Sequence, residues 1–118
     1  KQSYLRHLTS CTLDGTINFR RIAKATDEAV IDELIQVKGI GRWTGQMFLM
    51  FCLGRIDVFA PDDLGLRNAI QKLYKLAEPQ TRKELELRAE AWRPYRTIAS
   101  WYLWRSLEFD VALIEQQE

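Results

Sequence analysis

Two glycines with one residue between them, Gly39 and Gly41, constrain the fold of this chain more than any other feature. They lie in the segment VKGIGRWT, residues 37–44, between two stretches with helical periodicity. Glycine adopts backbone conformations that other residues avoid, so the pair predicts a tight hairpin between two helices that leaves backbone amides open. Such amides suit a phosphate group. The segment therefore indicates contact with a nucleic acid.

A second motif, APDD at residues 60–63, follows about one helix later. Residues before proline avoid the helical region, so residues 58–61 should be extended and lead into the next helix. Aspartate is favoured at helix N-caps, and we expect Asp62 rather than Asp63 to cap that helix. A phosphate grip followed by a fixed carboxylate indicates chemistry on a nucleotide rather than binding alone.

The remaining sequence predicts an all-α chain with a single domain over residues 1–118, since helical periodicity is present and strand-like alternation is not. The segment 43–53 is apolar nearly all round and predicts a central buried helix. We expect Trp92 and Trp101 to pack in the core. Two further helices are predicted to begin at N-cap signals, one after Thr26 and one at the capping box TRKE of residues 81–84. The remaining predicted helices cover residues 1–9, 19–25, 63–76 and 94–107.

Composition excludes several classes of protein. The net charge of +1 gives little general attraction to nucleic acid, so that prediction depends on the motifs. Cys11 and Cys52 have neither metal-ligand nor disulfide spacing, and one histidine, His7, makes a histidine-based metal site or nucleophile improbable. The apolar run 47–53 is too short to span a membrane, and nothing resembles a signal peptide. We expect an intracellular protein, in the bacterial cytoplasm or nucleoid or in a eukaryotic nucleus.

The two motifs, together with WRPYR at 92–96 and the later Trp104, resemble the helix-hairpin-helix DNA glycosylase superfamily. The similarity runs from about residue 4 to residue 107 and is greatest to the DNA-3-methyladenine glycosylase II (AlkA-type) group. It implies an all-α helix-hairpin-helix bundle. It also implies a base-excision repair enzyme that hydrolyses the N-glycosidic bond of alkylated purines, such as 3-methyladenine, in double-stranded DNA.

The resemblance assigns the catalytic carboxylate to Asp63. Cleavage of the glycosidic bond builds positive charge on the deoxyribose, which a carboxylate can stabilise, and the same group can orient the attacking water. The resemblance also places Trp43, Trp104 and Met47 in the pocket for the flipped base. For the two tryptophans, ordinary core packing is the alternative.

The hairpin is expected to hold the DNA backbone. The resemblance implies phosphate contacts from the glycine amides and their neighbours, namely Lys38, Gly39, Gly41, Arg42 and Thr44. A plain solvated role for Lys38 and Arg42 is the alternative. The carbonyls near Val37 and Gly39 are expected to hold a structural Na⁺ or K⁺ ion, and no other cofactor is expected.

Trp43 decides the type of glycosylase. Bifunctional members of the superfamily carry a lysine there that attacks the sugar, and tryptophan cannot form a Schiff base. The chain also lacks the four-cysteine cluster motif of some relatives. The resemblance therefore implies a monofunctional enzyme without an iron–sulfur centre.

Two further expectations concern the extent of the chain and its alternative role. Relatives have a substantial segment before the matched region, so we expect the bundle to be incomplete at its N-terminus and to associate with that missing segment. The alternative function is a non-catalytic helix-hairpin-helix module that grips DNA for a larger DNA-processing protein. Such a module needs the hairpin but has no use for Asp63 or Trp104.

Overall fold

A computed structural model describes residues 19–117, and the side chains of residues 21, 22 and 24–108 within that range. The predicted helix at 1–9 and the loop that follows it lie outside the described residues. Every regular element in the described part is a helix. No helix there is both long enough and apolar enough to cross a membrane. The chain divides into two compact units, Lys1–Arg55 and Ile56–Glu118.

The first unit is described by three helices: α1 (Phe19–Lys24), α2 (Asp27–Leu34) and α3 (Arg42–Phe51). Thr26 caps α2, because its hydroxyl oxygen accepts the amide of Ala29 at 3.3 Å, and this prediction is confirmed. Helices α2 and α3 pack against each other. The buried side chains of this unit are mainly aliphatic: Ile22, Val30, Ile31, Leu34, Val37, Ile40, Leu49 and Met50.

Helix α3 is buried along one face rather than all round, so the prediction of a central buried helix was wrong. Its buried residues are Gly45, Gln46, Leu49 and Met50. Its other faces reach the surface, and the side chain of Phe51 is 61% exposed. Apolar composition alone did not reveal that α3 packs through a single stripe.

The second unit contains α4 (Leu64–Leu73), α5 (Arg82–Ala89), a 3₁₀ turn (Glu90–Trp92) and α6 (Arg96–Gln117). Thr81 caps α5 as predicted, accepting the amide of Glu84 at 3.2 Å. Trp92 packs edge-on against the buried Phe59 with ring centroids 5.9 Å apart, but it is only half-buried, so it lies at the edge of the core rather than within it. Trp101 is 47% exposed, so its assignment to the core was wrong.

The N-terminus of α6 is capped by a distant loop instead of by its own first turn. The amide of Arg96 donates to Asp57 Oδ1 at 3.2 Å, and the amide of Thr97 donates to the Ile56 carbonyl at 2.9 Å. In return, the buried Thr97 hydroxyl accepts the amide of Val58 at 2.9 Å. The loop 56–58 thus satisfies amides that a helix start leaves without intrahelical partners. This explains why α6 begins at Arg96 and not at the predicted Pro94.

Asp57 is the charged centre of this attachment. Its carboxylate accepts Arg96 Nε at 2.8 Å and lies 3.4 Å from Arg93 Nη1. Partial burial alone would raise the pKa of Asp57, but the hydrogen bonds from Arg96 and the charges of both arginines lower it below its ordinary value of 3.8. Because the pKa is lower in the folded protein than in the unfolded chain, the cluster stabilises the fold above that value.

We predict that Asp57→Asn lowers the free energy of unfolding by about 1–3 kcal/mol near neutral pH. The stabilisation by ionised Asp57 is fully present above its ordinary pKa of 3.8 and is lost as the pH falls below that value through the lower folded pKa, so the difference should stay constant near neutral pH and narrow below about pH 4. Urea unfolding across this range measures it. The control is Glu108→Gln, since Glu108 pairs with Arg105 at the exposed surface and should matter little. An equal loss for both variants, or a loss independent of pH, would contradict the prediction.

Candidate active site

The hairpin turns at Gly39. Helix α2 ends at Leu34, and the turn closes with the amide of Ile40 donating to the Val37 carbonyl at 3.1 Å. Gly39 has a φ of 91°, a left-handed conformation that residues with a Cβ adopt only at a cost. The backbone requirement for glycine in this hairpin therefore falls on Gly39.

Gly41 differs from Gly39 in conformation. It is the N-cap of α3, with a φ of −101° and a ψ of −176°, and provides no side-chain cap. A Cβ at this position would have nothing within 4 Å. The expectation that the backbone itself needs glycine at both positions was wrong for Gly41. The helix start at Gly41 is exposed and has open space beside it.

The charged and polar neighbours of the hairpin differ in their contacts. Arg42 forms a two-point ion pair with Glu28, at 2.7 and 3.2 Å, and its hydrogen bond lowers the pKa of that carboxyl. A phosphate contact by Arg42 would have to compete with this pair. Lys38 is exposed and Thr44 is half-buried.

Trp43 and Met47 lie one helical turn apart on α3, so their side chains share a face. Trp43 is 46% exposed, while Met47 is half-buried. Nearly half of a large indole therefore reaches the surface at the start of α3. Core packing alone does not account for it, and the base-pocket assignment of both residues stays a prediction.

Asp63 is the N-cap of α4, and the expectation that Asp62 caps this helix was wrong. The carboxylate atom Oδ2 of Asp63 accepts the amide of Leu66 at 2.9 Å. A turn closed by the Asp63 amide and the Ala60 carbonyl, at 3.1 Å, makes Leu64 the first helical residue and so puts Asp63 at the cap. Asp62 is exposed instead and lies 3.4 Å from Arg82.

Trp104 of α6 reaches the same carboxylate. Its Nε1 donates to Asp63 Oδ2 at 2.8 Å, so an indole from one helix and an amide from another meet on one oxygen atom. Asp63 is only 9% exposed. A buried carboxylate held by two donors is a group of defined orientation next to an aromatic ring.

Gly65 makes this approach possible, and the sequence interpretation missed it. A Cβ on Gly65 would lie 3.1 Å from both Cδ1 and Nε1 of Trp104 and 3.2 Å from Asp63 Oδ2. These distances are tighter than ordinary contacts, so the indole lies almost directly on the glycine backbone. A glycine inside a predicted helix is unfavourable unless packing requires it, and that signal was available in the sequence.

The predicted site residues thus fall into two groups. The structure brings Asp63 and Trp104 together within the second unit. The hairpin, Trp43 and Met47 belong to the first unit.

Helices joined by a glycine hairpin, followed by a helix that a buried aspartate caps, define a helix-hairpin-helix protein. No model of a known protein family matches the chain. DNA-3-methyladenine glycosylase 1 of Schizosaccharomyces pombe is 39% identical over 103 residues, which are 86% of this chain and 45% of that protein.

Solved structures agree with this relationship. The S. pombe 3-methyladenine DNA glycosylase in complex with abasic DNA superposes with a TM-score of 0.82 at 37% identity, covering 89% of this chain and 52% of that one. A DNA-3-methyladenine glycosidase from Bacillus halodurans gives 0.78 at 39% identity, covering 88% and 48%. The chain belongs to the helix-hairpin-helix DNA glycosylase superfamily, in its 3-methyladenine group. It spans less than half the length of the curated relatives that it matches.

The two hairpin glycines should respond differently to alanine. Gly39→Ala forces a Cβ into the left-handed region and should lower the free energy of unfolding by about 1–2 kcal/mol. Gly41→Ala meets neither strain nor contact and should leave stability nearly unchanged. Thermal and urea unfolding of the two variants measure this. Equal destabilisation would show that the hairpin needs both glycines for its backbone.

Proposed function

We propose that this chain carries the catalytic aspartate and the DNA-gripping hairpin of a monofunctional DNA glycosylase that removes alkylated purines such as 3-methyladenine from duplex DNA. The observation that carries the proposal is the buried Asp63 carboxylate, held by the amide of Leu66 and the indole of Trp104. The relatives of this chain are named as 3-methyladenine DNA glycosylases, which supports proposing the same activity here.

Asp63 would act on the sugar. As the bond between base and deoxyribose breaks, positive charge develops at C1′, and a nearby carboxylate lowers the energy of that state. The same group can orient the water that completes hydrolysis. A carboxylate held by hydrogen bonds before the reaction needs little rearrangement when the charge appears, which is where a preorganised site gains rate.

Trp43 would contact the base. Alkylated purines such as 3-methyladenine are cationic, and an aromatic face attracts a cation by about 0.5–2 kcal/mol. The exposed part of Trp43 supplies such a face, with Met47 one turn further along α3. Because tryptophan has no amine to form a Schiff base, this site would release the base and leave the DNA strand intact.

The hairpin would hold the DNA backbone. The N-terminus of α3 carries partial positive charge, and Gly41 leaves open space beside it that a phosphate can enter. The relative from S. pombe is solved in complex with abasic DNA, which supports DNA as the partner of this chain too.

A monovalent cation on the hairpin carbonyls remains part of the proposal. The Val37 carbonyl accepts the amide of Ile40. A carbonyl oxygen has two lone pairs, so this hydrogen bond is compatible with a bound Na⁺ or K⁺. Association with a segment preceding Lys1 and an intracellular location both stay predictions.

The alternative, a non-catalytic DNA-binding module, would use the same hairpin. It gives no reason for the buried aspartate that caps α4 through the amide of Leu66 to accept a second hydrogen bond from Trp104. The enzyme accounts for both features, and we therefore prefer it. The two proposals differ in what happens when the charge of Asp63 is removed.

We predict that Asp63→Asn reduces single-turnover release of 3-methyladenine from alkylated duplex DNA by at least about 10²–10³-fold. Asparagine is as good an N-cap as aspartate, so the fold and the affinity for DNA should persist. The released base should leave an unbroken abasic strand. Asp62→Asn, which removes the neighbouring exposed carboxylate, is the matched control and should behave like the wild type. Near-normal release by Asp63→Asn would refute the assigned mechanism.

We also predict that Gly41→Val weakens binding to damaged and undamaged duplexes alike. A Cβ at this position has nothing within 4 Å in the free protein, so the loss would come from blocking the phosphate, which every DNA sequence presents. Fluorescence anisotropy with both duplexes measures the affinities, and Lys83→Ala, at an exposed position in the first turn of α5, is the control. If only the damaged duplex were affected, Gly41 would belong to the base pocket instead.

A further inference from the structure

We infer that Trp104 is a positioning residue that holds the carboxylate of Asp63 through its indole N–H, and that Gly65 provides the space for this contact. The inference rests on the proposed function, because it concerns how the proposed catalytic carboxylate is aimed. It also gives Trp104 a task that differs from stacking on the flipped base.

A single hydrogen bond does not fix the plane of a carboxylate. The terminal torsion of an aspartate side chain is broad, so a carboxylate bonded only to the amide of Leu66 could still rotate. The indole of Trp104 reaches the same atom, Oδ2, from a different helix at 2.8 Å. Two donors from separate helices, α4 and α6, restrict that rotation. Both of these hydrogen bonds end on Oδ2 of Asp63.

Gly65 determines whether the indole can reach the carboxylate. Any side chain here would place its Cβ 3.1 Å from the pyrrole edge of Trp104 and 3.2 Å from the accepting oxygen. Alanine would therefore require the indole or the carboxylate to shift by a few tenths of an ångström, which disturbs their hydrogen bond without changing the chemistry of either group. This makes Gly65 an independent means of testing the contact.

Stacking and positioning make opposite demands on residue 104. Phenylalanine retains an aromatic face for a base but has no N–H to donate. If Trp104 serves only as a stacking surface, Trp104→Phe should keep most of the rate. If it holds Asp63, the same variant should lose rate while its affinity for DNA is unchanged.

The experiment compares single-turnover base release, at saturating full-length protein, for the wild type, Trp104→Phe, Gly65→Ala and the double variant. We expect Trp104→Phe to be about 10- to 100-fold slower, as for a misplaced catalytic group. Gly65→Ala should show a smaller loss. The double variant should be no slower than Trp104→Phe, because both changes remove one contact. Trp101→Phe, in the same helix and half-exposed, should match the wild type.

Affinity for an abasic duplex and thermal melting are measured on every variant. A slower rate with unchanged affinity, in variants that melt cooperatively, supports positioning, since a purely structural defect would lower both. The inference is overturned if Trp104→Phe retains the wild-type rate, or if the losses of the two variants simply multiply. If the wild type releases base and Asp63→Asn does not, the proposed function stands whatever Trp104→Phe does. If the wild type releases none, both fall.

Discussion

The second unit depends on the attachment of the loop 56–58 to the first turn of α6. The amides of Arg96 and Thr97 donate to this loop, and the Thr97 hydroxyl accepts from it. From this fixed point the chain runs five residues from Val58 to Asp63, while α6 rises from Thr97 to Trp104, seven residues or about 10 Å along the helix. The hydrogen bond from the indole of Trp104 to Asp63 joins these two segments again at their far ends. The site is therefore held at both ends by hydrogen bonds between segments far apart in the sequence.

Three glycines serve this chain in three physically different ways. Gly39 provides a left-handed backbone angle for the hairpin, and Gly65 allows an indole to lie against a helix. Gly41 has neither strain nor a close neighbour, and the phosphate contact proposed for it would account for a glycine at this position. The capping aspartate likewise combines two roles, because the bond that starts α4 also orients the carboxylate proposed for catalysis. Structure and proposed chemistry thus share the same few atoms.

Local rules predicted the features that depend on local sequence. The helical character, the caps at Thr26 and Thr81 and the site motifs follow from residues close together in the chain. Features that depend on partners distant in the sequence were harder to predict. Asp57 accepts the amide of Arg96, so α6 begins at Arg96 instead of the predicted Pro94. Arg42 forms an ion pair with Glu28, which the hairpin motif did not indicate. Which of two adjacent aspartates becomes the cap depended on a turn that the spacing alone did not resolve. The exposure of Trp101 was also missed, because helical periodicity does not specify which face of a helix is covered by the rest of the protein.

The most direct test of the account is a crystal structure of the full-length protein bound to a duplex containing an abasic-site analogue. The account predicts that the carboxylate of Asp63 faces C1′ of the extruded sugar while Trp104 still donates to Oδ2. It also predicts a DNA phosphate against the backbone at Gly41, in the space that a Cβ would occupy. A complex in which the sugar lies away from Asp63, or in which the hairpin faces solvent, would contradict the account.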